Sequence, residues 1–154
     1  ADAGSPSGLR NYWKGGYLRE VGPGLADAMR LAGEAPSPLS HVEVHLLGGA
    51  HGREPEGGAA YGHRDAVAVY DVISTWRDPA EDARHVGHCR AAHAELARSG
   101  TGETYVNYLA GDEPAPARSA YDGSTLARLQ EVKRRVDPDG FLPGPVQAGL
   151  VQSD

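Results

Sequence analysis

The sequence is short of what builds a rigid core and of what binds polyanions. Its 154 residues hold one Cys, one Met and one Phe, and aromatic residues make up only 6%. A single cysteine, Cys89, rules out an intrachain disulfide and a cysteine-built zinc site, and leaves the redox compartment open. No apolar run approaches the roughly 20 residues of a membrane span, so no membrane partner is expected. Residues 1–20 lack the basic-then-apolar layout of a secretory leader, and a soluble, cytoplasmic chain is the expectation. Lys and Arg number 15 against 21 Asp and Glu, a net charge of −6. The one basic run is Lys133-Arg134-Arg135, too little for the concentrated basic face that nucleic acid requires.

What is present is glycine (21) and proline (11) within a chain that is 40% hydrophobic, which describes one loop-rich globular unit. Residues 1–10 read as a linker-like lead-in, starting at Ala1 as though something preceded it. Asn11 to Leu18 is an aromatic strand or edge segment ended by glycines. Pro23 to Gly33 places Leu25, Ala28, Met29 and Ala32 at helical spacing between a proline start and a glycine stop. His41 to Leu47 alternates strictly, with Val42, Val44 and Leu46 on one face and His41, Glu43 and His45 on the other. Val67 to Trp76 is a second long strand rich in β-branched residues. Asp78-Pro79 opens a helix over about 79–98, Glu103 to Leu109 reads as a third strand, and Ser124 to Val136 as a last helix stopped by Asp137-Pro138. Because no strand is followed by a phosphate-type glycine loop, the expected fold is α+β, an antiparallel sheet with helices packed on one face.

Candidate chemistry sits on the strands. The row His41, Glu43 and His45 reads either as a solvated sheet face or as the floor of a cavity. Its spacing along one strand is poor for the ~2 Å bonds of a single metal ion, and no metal is expected. Asp71 lies inside an apolar run with Val69 and Ile73 on its own face. A carboxylate there is either satisfied by Arg64 or a backbone amide, or it faces a pocket with a raised pKa and serves as a general base. On the third strand Tyr105, Asn107 and Leu109 share one face, with Val106 and Tyr108 on the other. The helical stripe His85, Cys89, His93 lacks a fourth metal ligand and reads as a packing face.

Several of these pieces stand in a familiar order. Tyr105-Val-Asn-Tyr108, a loop with Tyr121, and Leu126 through Asp137-Pro138 resemble the C-terminal part of the berberine-bridge-enzyme-like FAD-linked oxidases. Tyr12-Trp13-Lys14, Gly48-Gly49-Ala50, His63-Arg64, Trp76 and Asp78-Pro79 extend the resemblance upstream. It implies a substrate-binding sheet and helix domain over residues 11–112, followed by the family's C-terminal segment over 113–154. It also implies roles: Asn107 toward the flavin, Tyr108 as active-site base, and Val69 and Asp71 pointing into the site; His41, Glu43, His45 and Tyr105 are further substrate-binding candidates. An anion near a tyrosine raises its pKa, so Asp71 assists Tyr108 only by accepting its proton. Two features depart from the family: Phe141 is followed by Leu-Pro-Gly-Pro rather than asparagines, and the flavin-binding half, with its glycine-rich pyrophosphate loop, is absent. Gly48-Gly49-Ala50-His51-Gly52 does not fit G-x-G-x-x-G.

The expected function is therefore the substrate-binding part of an FAD-dependent oxidoreductase acting on a small specialised metabolite. FAD would be bound only with an FAD-binding domain or partner chain outside this sequence, and none is expected on the isolated chain. The alternative is a flavin-free cyclase or isomerase reusing the same pocket, and a binding module without chemistry ranks below both. Composition leaves room for a homo-oligomer, and its Ala/Gly/Arg bias suggests a bacterial, specialised-metabolism setting.

Overall fold

The computed structural model describes residues 8–112 and 116–142. Three strands form one antiparallel sheet in the order β1-β3-β2, with β1 Arg10–Leu18, β2 His41–Leu46 and β3 Ala68–Trp76. Four helices are α1 Pro23–Gly33, α2 Asp82–Ala97, α3 Pro116–Ala120 and α4 Gly123–Val136. This is the expected α+β arrangement. The first seven residues of the lead-in, residues 113–115 of the proline loop and the tail from 143 lie outside the described residues. Among the described residues, no helix is long and apolar enough to cross a membrane.

The central strand β3 sorts its side chains between two environments by simple alternation. Ala68, Tyr70 and Val72 point toward α2 and join Leu18, Ala28, Cys89, Ala92 and Leu96 in the main apolar cluster. α2 presents His85, Cys89, Ala92 and Leu96 as a buried stripe. His85 stacks on Trp76 at 4.8 Å between ring centroids, Cys89 donates to the Val72 carbonyl, and the His93 ring meets the Tyr70 hydroxyl at 3.2 Å. The His85/Cys89/His93 stripe is thus a packing face. Asp78 accepts from the Ala80 amide and starts the 3-10 turn Pro79–Glu81 that leads into α2, as the Asp-Pro signal predicts.

Four expectations need correction. β1 does not end at its glycines; it runs through Gly15 and Gly16 to Leu18. Two ring approaches demand glycine there: an added Cβ on Gly15 would lie 2.8 Å from Tyr108 Cβ, and on Gly16 2.9 Å from the Tyr70 hydroxyl. On α1, Met29 is exposed and Leu31 packs instead beside Leu25. The helix is turned because Gly24 lies against α2, where an added Cβ would be 2.9 Å from the Glu95 carbonyl oxygen. The apolar face of β2 is only partly covered, and Leu46 is 76% exposed. Last, Glu103 to Leu109 is not a strand. Residues 99–103 touch the end of β1, with Thr101 N donating to Tyr17 O and Tyr17 N to Glu103 O. Gly102, at φ +89°, redirects the backbone, and Val106–Tyr108 is a 3-10 turn lying over the sheet.

α4 is capped by Asp122, which accepts from the Thr125 amide, and it ends at Asp137. Asp137 has a further part that the sequence pattern does not reveal. Its carboxylate pairs with buried Lys133 and accepts from the Phe141 and Leu142 amides, which fixes the chain after the helix.

Candidate active site

The sheet face away from α1 and α2 carries Trp13, Gly15 and Tyr17 from β1, Val69, Asp71 and Ile73 from β3, and His41, Glu43 and His45 from β2. Cross-strand register aligns them in three rows: Trp13–Ile73–His41, Gly15–Asp71–Glu43 and Tyr17–Val69–His45. The middle row is the one with chemistry. Gly15 contributes no side chain, so Tyr108 settles onto it, and Asp71 lies between that tyrosine's place and Glu43.

Asp71 is only 6% exposed, and its Oδ1 has no hydrogen-bond partner among the described residues. Burial raises its pKa to about 7; Glu43 adds to the rise, while His41, His45 and the Val72 amide oppose it. Arg64 does not satisfy it. That guanidinium donates to Glu54 at 2.6 Å and to the His51 and Arg53 carbonyls at 2.9 Å, in the loop before β3. Arg64 is thus not its partner, while the Val72 amide bears on the carboxylate, so of the two readings the structure supports the raised pKa and also part of the backbone satisfaction.

The 3-10 turn regroups the Tyr-Val-Asn-Tyr residues. Tyr105 and Tyr108, three apart, come together with ring centroids 5.2 Å apart at an edge-on 84°. Asn107 faces outward and donates to the Tyr105 hydroxyl at 2.8 Å. The alternating placement expected of a strand, with Tyr105 and Asn107 on one face and Tyr108 on the other, is therefore replaced. Burial raises the Tyr108 phenol above its ordinary value, and Asp71 and then Glu43 push it further. Tyr108 is neutral near pH 7, and of the two groups Asp71 is the one that titrates near neutrality.

On β2, Glu43 and His45 are exposed, and the Glu43 carboxylate lies 3.3 Å from His41 and 3.4 Å from His45. The row forms the solvent-side rim of the face, with Glu43 reaching Asp71 electrostatically. Among the described residues, no group of three or more His, Cys, Asp or Glu is placed to hold a metal ion.

Sequence reasoning passed over a neighbouring group. A cleft of about 230 Å³ lies beside the Tyr17–Val69–His45 row, lined by Tyr17, Tyr61, His63, Tyr105 and Tyr121. His63 holds it together: Nδ1 meets the Glu103 carboxylate and Nε2 the Ala120 carbonyl, each at 2.9 Å. The one available signal is the density of Tyr and His at 61–63 and 105–108 in a chain otherwise poor in aromatics.

Fold and site together define an α+β sheet domain with α1 and α2 on one side of the sheet and a buried acid among tyrosines on the other. Comparison with known proteins agrees. Residues 104–143 match the family model described as "Berberine and berberine like". The FAD-linked oxidoreductase YgaK of Bacillus subtilis (strain 168) is 30% identical over 108 residues, which is 70% of this chain and 24% of that protein. GilR, an oxidoreductase that catalyses the terminal step of gilvocarcin biosynthesis, is 26% identical with a TM-score of 0.68 over 86% of this chain and 31% of its own. Berberine bridge enzyme from Eschscholzia californica shares the fold, with a TM-score of 0.77 at 15% identity over 90% of this chain and 32% of that one. The chain belongs to the berberine-bridge-enzyme-like family of FAD-linked oxidases. It spans about a quarter of YgaK and about a third of the two solved structures.

Members of this family are FAD-linked. Tyr108 stands over this sheet face at Gly15, and the orphaned Asp71 Oδ1 belongs to it. The glycine-rich turn that cradles a pyrophosphate has no counterpart in the sequence.

Proposed function

We infer that this chain is the substrate-binding part of an FAD-dependent oxidoreductase acting on a small specialised metabolite, with the flavin held by a domain outside the sequence. FAD, when bound there, supplies the acceptor for the hydride that leaves a substrate C–H bond. The residues of this chain supply the other half of the oxidation. Asp71 takes the proton released from the substrate's O–H or N–H, directly or by way of Tyr108, whose raised pKa makes it a relay that returns to its neutral form. Val69 and Ile73 beside Asp71 give the substrate an apolar seat, Tyr105 stacks against Tyr108, and Asn107 lies at the outward edge where a flavin would approach. Homology to an enzyme of gilvocarcin biosynthesis supports the metabolite class.

The observation that carries this reading is the buried, unpartnered Asp71 oxygen on the face that Tyr108 overhangs. The test joins the chain to an FAD-binding domain of a relative and follows flavin reduction under anaerobic conditions. Reduction that depends on substrate, falls about 10²–10⁴-fold in Asp71→Asn, and loses flavin retention in Asn107→Ala is the expected result. A colourless 154-residue chain that binds no added FAD and still converts a substrate would establish the flavin-free cyclase or isomerase instead.

A further inference from the structure

We propose that the tyrosine-lined cleft beside the candidate active site is a binding subsite for a neutral, oxygen-bearing aromatic ring, a phenol or quinone of one or two fused rings. The cleft lies between the loop before β3, the end of β1, the 3-10 turn and the end of α3.

Its floor sets the chemistry. Tyr17 is 1% exposed, and its hydroxyl and that of Tyr61 lie against each other with no other partner among the described residues, so the pair keeps one O–H and its remaining oxygen lone pairs unserved. Buried phenols left so are costly unless a ligand serves them, and either can donate to a carbonyl or accept from a hydroxyl. Burial holds the Tyr17 phenol far above its ordinary range, with Tyr61 adding to the rise, so the floor is uncharged. The walls are aromatic. Tyr61 and Tyr105 each stand edge-on to Tyr17 at 6.3 Å, and the His63 ring lies 4.4 Å from it. Rings arranged edge-on in this way favour a flat aromatic guest.

The cleft also discriminates against charge. Among the described residues of its lining, His63 is the one ionisable group besides the tyrosines, and both its nitrogens are engaged, one by Glu103 and one by Ala120. An ionised guest would meet no free counter-charge and would lose its hydration. Size sets the remaining limit. About 230 Å³ is below the ~300–1,000 Å³ of a site for a whole ligand, so the cleft takes one end of a larger molecule. Tyr105 forms a wall here and also packs on Tyr108, which puts the cleft next to the acid–base pair. Regarding the guest as part of the substrate rests on the function proposed above; binding of the ring does not.

The test uses the 154-residue chain, with 2-naphthol as probe and methyl glucoside and 2-naphthoate as comparisons, read by amide NMR shifts. Saturable shifts at 61–63, 105–106 and 120–121 with 2-naphthol, weaker for the other two, are expected. Tyr17→Phe should weaken 2-naphthol about fivefold through one lost hydrogen bond. Tyr121→Ala, at the half-exposed rim and outside the packed core, should weaken it about tenfold if the wall matters. Asp71→Asn should leave binding unchanged, which separates this subsite from the proposed base. No saturation, equal binding of 2-naphthoate, or shifts centred on residues 69–73 would overturn the proposal.

Discussion

The two faces of β3 divide the molecule's work. Toward α2, Ala68, Tyr70 and Val72 are closed over by Cys89, Ala92 and Leu96, with Cys89 donating to the Val72 carbonyl and Tyr70 meeting His93, and the atoms left without a partner there, Ser74 Oγ and His85 Nδ1, are a hydroxyl and a ring nitrogen rather than a carboxylate. Away from α2, Val69 and Asp71 are almost as buried, yet Asp71 keeps an oxygen without a partner. The covering on that side is the 3-10 turn with Tyr105 and Tyr108, with the end of the short α3 at its edge, rather than a long helix. One strand therefore supplies apolar packing at even positions and an unsatisfied acid at odd ones. An unsatisfied acid on a face closed by loops is a cost to folding that a site can use.

Removing Leu96 from the packed face and the charge of Asp71 from the other should consequently have opposite effects on stability. The largest effect is expected on the helix side: Leu96→Ala leaves a cavity in the main cluster and should cost about 3 kcal/mol in denaturant unfolding. A loss below 1 kcal/mol would mean that the α2 side is not where stability resides. Next is Gly15→Ala, whose added methyl collides with Tyr108 and should cost about 1–3 kcal/mol while displacing the ring. An unperturbed Tyr108 resonance in a stable variant would show that the close approach is not needed.

Asp71→Asn should do the reverse and stabilise the chain by about 1–2 kcal/mol at pH 8, less than the full shift implies because part of that face is open to water. The sign follows from linkage. The folded pKa, about 7, lies above the ordinary 3.8. Below pH 4 both states are protonated and the wild type keeps its full stability. Between about 4 and 7 only the unfolded chain ionises, so stability falls as pH rises. Equal unfolding midpoints for wild type and variant at pH 8 would refute this. The smallest effect is expected at outward-facing Asn107, where Ala should shift stability by less than about 0.5 kcal/mol, its consequence being confined to flavin retention.

The parts of this arrangement that depend on local pattern were legible in the sequence. Strict alternation from His41 to Leu46, the β-branched run into Trp76, the Asp78-Pro79 opening and the Asp137-Pro138 stop each carry their own stereochemical cause. Asp71 was legible as an anomaly because a carboxylate in an apolar strand has few satisfactory fates. What was not legible depends on contacts between distant segments. Gly15 and Gly16 look like a strand end until Tyr108 and Tyr70 are seen to need their space. Tyr105 to Tyr108 has strand composition, but Gly102 turns it away after a brief pairing with β1, and the 3-10 turn brings together tyrosines that alternation would separate. The Tyr17–Tyr61–His63 grouping joins residues more than forty positions apart and has no periodic signature. The homology to FAD-linked oxidases was carried by short motifs spread along the chain, each weak by itself and informative through their order.

The most direct measurement is the titration of the Asp71 side-chain carboxyl carbon by NMR in the 154-residue chain. A midpoint near pH 7, moving down in Glu43→Gln, is what a buried acid paired across the strands with Glu43 requires. A midpoint near 4, unchanged by Glu43→Gln, would mean that Asp71 is solvated or satisfied and is not poised as the proton acceptor of this site.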